Sequence, residues 1–355
     1  MNRRQALALA ITSTLGAGAT LANAEAPTDQ YATAGQWQQP SPINIIIPAS
    51  CTRQYKSLAG FKFEYQLAAA TLDFLSTHYK DRQVPVWEKK FNAVSFQKRI
   101  PLITHFVLQS VDKYTDVYPV DPVWIMAQIM TESFFCEWAV SSSLAVGICQ
   151  FITPTARKYN LLCATDNPAH FKPPYKKTEL AGAEKKFLAT REKLRFLRKQ
   201  YSTLFNDPLT ILEHILTGPP PKKIQGYARI LAQAKQLQKQ IITYRKNYQT
   251  YLHANILDKN IFDSRDLSAI SAFDQRATIK HPIDAMVLMM AQHLRECHGN
   301  IIAATAGYNA GLGTTKIPYG EGKPYGRLPV IQETVDYVNK IFIRHHELVK
   351  RIKKA

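Results

Sequence analysis

From about Phe61 to the end of the chain, apolar residues recur every three or four positions, which is the spacing of one face of a helix. No convincing series of segments alternates apolar and polar residues with the period of two that is typical of half-buried strands. The chain has 355 residues, of which 46 % are hydrophobic. A chain this long and this apolar can bury a core, which excludes intrinsic disorder as its main state. We therefore predict an all-α fold.

The N-terminus has the layout of a secretory signal peptide. A basic head, Met1–Arg4, precedes a weakly apolar stretch, Ala6–Thr20, and the small-x-small cleavage sequence Ala22-Asn23-Ala24. We predict that residues 1–24 are removed and that the mature chain is exported without a transmembrane segment, because the apolar stretch is too short to span a bilayer. The pair Arg3-Arg4 leaves open whether the leader is a twin-arginine signal or has an ordinary basic head.

Residues 25–60 are rich in Gln, Pro, Ser and Thr, and Ile45-Ile46-Ile47 is their only apolar run. This composition predicts an irregular lead-in that is partly docked on the body. The five cysteines are an odd number, so at least one is unpaired in a monomer, and their spacing does not suggest a zinc site. Which of them pair is left open; they are Cys51, Cys136, Cys149, Cys163 and Cys297.

One basic segment stands apart from the rest of the chain. Lys172 to Lys259 contains 18 Lys and Arg against 6 Asp and Glu, a net charge of +12 out of the formal +18 of the whole chain. Two apolar stripes at helical spacing run through it, from Leu180 to Leu204 and from Ile224 to Leu252. Asn206-Asp207-Pro208 and Gly218–Pro221 separate them and cannot continue a helix. We predict a long antiparallel helical hairpin with a basic outer face.

This basic face is either a solvated surface or a contact for an anionic wall component or for secretion or conjugation machinery. Nucleic acid is not an expected partner, because the chain carries an export signal. The aromatic residues of the segment also lie on the apolar stripe, where they are not free to stack on bases; they are Phe187, Tyr201 and Tyr227.

Asp121-Pro122 is a helix start, with an acidic N-cap and Pro at the first helical position. The following residues, 123–130, are apolar nearly all round, which predicts a buried helix. Glu132 comes at its end. Burial and the negative end of the helix dipole both favour a protonated carboxyl group there, so Glu132 is a candidate general acid.

Six short motifs accompany this glutamate along the chain. They are Thr131-Glu132-Ser133, Ala139-Val140-Ser141, Gly147-Ile148-Cys149-Gln150, Pro154-x-Ala156, Ala306-Gly307-Tyr308-Asn309-Ala310-Gly311 and Glu333-Thr334-x-x-Tyr337-Val338. The set and its order resemble the family 1 lytic transglycosylases of the soluble-lytic-transglycosylase type, whose catalytic domain is lysozyme-like and closest to goose-type lysozyme. The resemblance covers about 122–160 and 281–345.

The resemblance implies a lysozyme-like catalytic domain, divided into 61–164 and 279–355 by the basic hairpin inserted at 165–278. It implies an enzyme of the Gram-negative periplasm that acts on peptidoglycan glycan strands. Such an enzyme cleaves the β-1,4 bond between N-acetylmuramic acid and N-acetylglucosamine and releases 1,6-anhydro-muramoyl products. No cofactor and no metal are implied. The alternatives are a hydrolytic, lysozyme-like muramidase and a wall-binding or scaffolding protein with a vestigial site.

In the family scheme Glu132 is both general acid and general base, and the substrate's own N-acetyl group stabilises the anomeric carbon. One carboxyl group then suffices, and we expect Glu137 to lie at the surface. The resemblance assigns cleft hydrogen bonds to Ser133 and Ser141. It also implies that Gln150 binds muramoyl or N-acetyl groups. Tyr308 and Asn309 lie beside the small Ala310-Gly311, and Tyr308 is implied to orient either Glu132 or the acetamido group. Glu333 and Tyr337 are implied to be either substrate contacts or a structural brace.

The sequence departs from the family pattern at several points. Leu144 replaces a usual Gly, which predicts a local change in the turn before Ala145; Cys136-Glu137 and Cys149 are also atypical. His281-Pro282 with Asp284 is better explained as a helix start than as part of a charge relay. We interpret His293 and His298 as ordinary surface or core histidines, because they lack the spacing of metal ligands.

Overall fold

A computed structural model describes residues 45–49, 61–207, 209, 212–213, 216–218, 221–316 and 325–353. The predicted leader, most of the lead-in and Cys51 lie outside these residues.

One two-stranded antiparallel sheet occurs in the described part, where Gln83–Val84 pairs with Lys89–Lys90. The remaining regular structure there is helical, so the all-α prediction is confirmed. The α-helices are α1 (Phe61–Tyr79), α2 (Phe96–Tyr114), α3 (Pro122–Ser133), α4 (Thr153–Lys158), α5 (Ala183–Gln200), α6 (Ser202–Asn206), α7 (Pro221–Ile256), α8 (Ser264–Phe273), α9 (Lys280–Glu296), α10 (Ile301–Ala310) and α11 (Gln332–Ile352).

The chain divides into two compact units. Of the described residues, unit 1 comprises those up to 161 together with those from 275 onward, and unit 2 comprises those between 162 and 274. In unit 1, α3 packs against α2 and α11, and α9 packs against α2 and α10. Every residue of α3 from Pro122 to Met130 is buried, as its apolar sequence predicts. The core of unit 1 therefore surrounds the helix that ends near Glu132.

The start of α3 is fixed by a capping carboxylate. Asp121 accepts hydrogen bonds from the backbone amides of Val123 and Trp124, at 2.8 and 3.4 Å. Its other oxygen lies 2.7 Å from Nε2 of the buried His345 on α11. Burial raises the pKa of Asp121, but His345 and the two amides outweigh it and lower this pKa below its ordinary value of 3.8. The cap therefore joins two helices of the core as a charged group.

We expect Asp121→Ala to lower the free energy of unfolding by about 2 kcal/mol, because it removes the N-cap and the partner of His345. The pKa of Asp121 in the folded chain lies below its ordinary value of 3.8. The stability that Asp121 contributes is therefore present above pH 3.8 and is lost as the pH falls through this lowered pKa. Urea unfolding at neutral and acidic pH measures both effects.

The matched control is Asn300→Ala. Asn300 caps α10 through two 3.1 Å bonds to the amides of Ile302 and Ala303. Its loss should lower the free energy of unfolding by about 1 kcal/mol, with no comparable dependence on pH. Equal losses and equal pH profiles for the two variants would contradict the role given to His345.

The described part of the lead-in, residues 45–49, docks on unit 1. Ile47 is buried, and its amide donates to the Gly299 carbonyl at 3.0 Å. The carbonyl of Ile45 accepts a second backbone hydrogen bond, from the amide of Ile301 at 3.0 Å. Tyr118 also donates its hydroxyl to the Ile47 carbonyl, at 2.6 Å. These contacts hold the described residues 45–49 on unit 1, and the extent of the lead-in stays a prediction.

Unit 2 contains the basic segment. Helix α5 packs against α7 through Leu194, Leu197 and Ala234, with five half-buried residues around them: Tyr201, Phe205, Ile230, Leu237 and Ile241. α6 ends at Asn206, where the Asp-Pro break was predicted, and α7 runs without interruption for 36 residues. The antiparallel hairpin geometry itself stays a prediction. None of the helices described is both long enough and apolar enough to cross a bilayer.

Candidate functional site

Glu132 lies half-buried in the last turn of α3, where a row of hydrogen bonds reaches its carboxyl group. The hydroxyl of Tyr337, on α11, donates to Glu132 Oε1 at 2.7 Å. The amide nitrogen of Gln128, one turn earlier on α3, donates to the Tyr337 oxygen at 3.1 Å. Tyr337 is 2 % exposed and Gln128 is fully buried, so this row fixes the orientation of the carboxyl group.

A guanidinium group also borders the end of α3. Arg344 donates to the hydroxyl of Thr131 at 2.7 Å, and its Cζ atom lies 4.8 Å from the centre of the Phe134 ring. Burial lowers the pKa of Arg344, which is partly offset by Tyr79, but an arginine stays charged at neutral pH. Arg344 is absent from the sequence-based site. Its position seven residues after Tyr337, on the same face of α11, is the signal that would have found it.

After α3 the chain turns back into a tight loop over residues 139–151. Phe134 and Phe135 both have left-handed backbones, with φ of +50° and +62°. Within the loop, Val146 forms bridges with both Val140 and Phe151. The Ser141 hydroxyl accepts hydrogen bonds from the amides of Ser143 and Ala145, at 3.3 and 3.0 Å, and so caps the turn between them.

Three predicted substrate-binding side chains hold the backbone of this loop. Ser133 donates to the Ile148 carbonyl at 2.9 Å, and Tyr308 donates to the Cys149 carbonyl at 2.6 Å. The Gln150 amide nitrogen donates to the carbonyls of Ala139 and Gly147, at 3.2 and 2.8 Å. Because all three residues are buried, the structure places them as supports of the loop. Their contacts with a substrate stay predictions.

Leu144, in place of the family's usual Gly, has a left-handed backbone with φ of +61°. This region favours glycine, and a side chain there costs about 1–2 kcal/mol. The Leu144 side chain is buried, and burial of a leucine contributes a similar amount, about 1.5–3 kcal/mol. The core contact therefore offsets the backbone strain in this turn.

The expectation that Glu137 lies at the surface is wrong. Glu137 is 4 % exposed and accepts two hydrogen bonds from Arg99, at 2.6 and 3.2 Å. The guanidinium of Arg99 in turn stacks 4.9 Å from the centre of the Trp87 ring. A buried carboxylate with a bidentate arginine partner is a structural ion pair. The sequence around Glu137 does not indicate this partner, because Arg99 lies 38 positions earlier in the chain.

Asn309 and Glu333 belong to the junction of α10 and α11. Asn309 is buried, and its Oδ1 atom accepts a hydrogen bond from the Thr334 hydroxyl at 3.0 Å. Glu333 lies half-buried in the first turn of α11, where a carboxylate stabilises the helix dipole.

A cleft of ≈ 580 Å³ lies beside this junction. Tyr308 and Asn309 both line this cleft. Glu132 and Tyr337 form a hydrogen-bonded pair, and Glu132 does not line the cleft. The lining includes Phe151, Tyr159, Gln292, His293, Tyr308, Asn309, Gly311 and Lys316.

His293 also lines this cleft, as a neutral side chain. It is buried and its Nδ1 atom lies 3.2 Å from the Ala304 carbonyl on α10. Burial lowers its pKa from 6.5 to about 4. Of the surface and core positions that the sequence left open for His293, the structure places it in the core.

We expect the free energy of unfolding to fall by about 3 kcal/mol as the pH drops from 6.5 to 4, because the unfolded chain binds a proton that folded His293 does not. His293→Gln should flatten this part of the pH profile of thermal unfolding, whereas His105→Gln, at an exposed histidine, should leave it unchanged. A profile that stays as steep in His293→Gln would contradict this assignment.

The other residues that the sequence singled out, Asp284 and His281, are not arranged as a charge relay. Asp284 accepts hydrogen bonds from Lys113 and Tyr114, at 2.9 and 2.7 Å, while His281 Nδ1 lies 3.1 Å from the Thr278 hydroxyl. Asp284 and His281 thus have separate partners, and α9 begins at Lys280, as the helix-start interpretation predicts. Among the described residues, four cysteine side chains are buried: Cys136, Cys149, Cys163 and Cys297. The described residues contain no group of His, Cys, Asp and Glu that could hold a metal ion.

A comparison with protein-family models matches residues 109–186 to the transglycosylase SLT domain. The match includes Glu132, Ser133, Ser141 and Gln150, while Tyr308, Asn309, Glu333 and Tyr337 lie beyond it. Neither the curated proteins nor the solved structures give a significant match. The SLT domain supports a peptidoglycan lytic transglycosylase activity in general terms. Residues 109–186 are therefore similar to the transglycosylase SLT domain, and they lie in an all-α protein.

Proposed function

We propose that the chain is a periplasmic lytic transglycosylase that cleaves the β-1,4 bond between N-acetylmuramic acid and N-acetylglucosamine. One observation carries the proposal: within the matched SLT domain, the carboxyl group at the end of the buried helix α3 is held at 2.7 Å by the Tyr337 hydroxyl. A positioned carboxyl group of this kind is suited to proton transfer.

Glu132 acts first as the acid and then as the base. It donates its proton to the glycosidic oxygen as the bond from that oxygen to the anomeric carbon breaks, and the substrate's N-acetyl group stabilises the positive carbon. The Glu132 carboxylate then takes the proton of the muramoyl C6 hydroxyl, whose oxygen bonds to the anomeric carbon. Glu132 ends protonated, no water is consumed, and the product is a 1,6-anhydro sugar.

The ion pair of Glu137 supports this one-carboxyl scheme. Most glycoside hydrolases use two carboxyl groups at the scissile bond. Glu137 is the next acidic residue after Glu132 in the matched domain, and its oxygens accept from Arg99 at 2.6 and 3.2 Å. A nucleophile supplied by the substrate removes the need for a second carboxylate.

Digestion of purified sacculi, followed by mass measurement of the muropeptides, tests the proposal. We expect 1,6-anhydro ends, which are lighter than reducing ends by one water molecule. Reducing ends would show a hydrolytic muramidase, and binding to sacculi without any product would show a wall-binding protein. Export rests on the predicted leader, and cell fractionation with and without residues 1–24 tests it separately.

Tyr337→Phe should lower the initial rate of sacculus digestion about tenfold, because the loss of the hydrogen bond that positions the Glu132 carboxyl group costs about 1.4 kcal/mol. The ring stays in the core, so thermal unfolding should change little by comparison. An unchanged rate would contradict this positioning role of Tyr337.

A further inference from the structure

Helix α7 of unit 2 carries seven Lys and Arg and no acidic residue along its 36 residues. One side of it, with Ala234, packs on α5. Another side presents five exposed residues spaced three or four apart, which places them on one face of the helix. We call them the basic-aliphatic stripe; they are Leu231, Lys235, Lys239, Ile242 and Lys246.

The stripe is about 22 Å long at the rise of an α-helix. Its aliphatic members are well exposed, Leu231 to 39 % and Ile242 to 54 %. Large apolar side chains are therefore left in water between three cations.

A second group of exposed apolar residues precedes α7 in the chain. Leu209, Leu212 and Leu216 are exposed to 77 %, 52 % and 77 %, and their spacing of three and four is helical. They are followed in the sequence by Lys222 and Lys223. Exposed aliphatic side chains thus occur near lysines at two places in the sequence of unit 2.

The mixture of cations and aliphatic side chains distinguishes between anionic partners. A hydrated glycan strand or another wall polyanion would pair with the lysines but would gain little from Leu231 and Ile242. The headgroup region of an anionic bilayer satisfies both, because lysine ammonium groups reach lipid phosphates while aliphatic side chains enter the acyl boundary. We propose that the basic-aliphatic stripe, with the three leucines, docks unit 2 on the surface of a bilayer that contains anionic phospholipid.

Co-sedimentation of the full chain with lipid vesicles tests this proposal. The chain should pellet with vesicles of equal parts phosphatidylcholine and phosphatidylglycerol, and added NaCl should release it. Pure phosphatidylcholine vesicles should bind far less. The triple variant Lys235→Glu, Lys239→Glu, Lys246→Glu should lower the partition coefficient about 100-fold or more, because each lysine contributes about fivefold.

The matched control reverses three exposed lysines of unit 1, Lys89→Glu, Lys90→Glu and Lys98→Glu, and should retain most of the binding. The double variant Leu231→Ser, Ile242→Ser keeps every charge and should still weaken vesicle binding. Thermal unfolding of each variant shows that it is folded, and the salt titration of the wild-type chain needs no variant.

Three results would overturn the proposal. Equal losses in the two triple variants would mean that only total charge matters. Equal binding to pure phosphatidylcholine would remove the anionic requirement. A stripe variant that loses sacculus pelleting but keeps vesicle binding would show a wall polyanion as the partner.

Discussion

Glu132→Gln should lower the rate of sacculus digestion by about 10³-fold or more, which is within the range for removal of a general acid. In the wild-type chain the Tyr337 hydroxyl donates to Glu132 Oε1 at 2.7 Å. Glutamine has the same shape as glutamate, and its side-chain oxygen can still accept this hydrogen bond. It cannot donate or take the proton that both steps need. The initial rate of release of soluble muropeptides measures the effect.

The control for this variant is Glu192→Gln, which makes the same change of charge on an exposed residue of α5 in unit 2. It should keep the wild-type rate. Glu132→Gln should also keep the wild-type unfolding temperature and its pelleting with sacculi, so that loss of chemistry is separated from loss of fold or binding. Turnover that survives in Glu132→Gln would mean that another group is the acid.

The parts of the site that the sequence predicts are those decided by neighbours along the chain. The Asp121-Pro122 start and the apolar run after it predict a buried α3, because capping and periodicity act within a few residues. The same local signals predict that α9 begins near His281-Pro282 and that Asn206-Asp207-Pro208 ends a helix.

The rest depends on contacts between distant residues, which periodicity does not encode. Glu137 is buried because Arg99, 38 positions earlier, pairs with it. Tyr337 reaches Glu132 across 205 positions, and nothing local in either segment indicates that contact. A motif can place a residue near the site but does not tell whether its side chain faces a substrate or the loop, as Ser133 shows.

The glycine of the Gly-x-x-Gln motif has a structural reason that only packing reveals. Gly147 has φ of +78°, and a Cβ atom there would lie 1.7 Å from the backbone oxygen of Arg276. Arg276 is itself fully buried and donates to Thr153 Oγ1 at 2.9 Å, so its backbone cannot easily move aside. The Gly147 carbonyl also accepts the Gln150 side chain at 2.8 Å, which ties this position to the loop beside Glu132.

Gly147→Ala should therefore lower the free energy of unfolding by about 3–5 kcal/mol, of which about 1–2 kcal/mol is backbone strain and the rest is the clash. In a unit of this size such a loss lowers the unfolding temperature by roughly 6–20 °C. Gly311→Ala separates the two causes, since Gly311 has φ of +88° but no atom within 4 Å of the added Cβ. It should show the strain alone, about 1–2 kcal/mol. Equal shifts in thermal unfolding for the two variants would mean that the Arg276 backbone yields, and that the loop is held less tightly than its hydrogen bonds indicate.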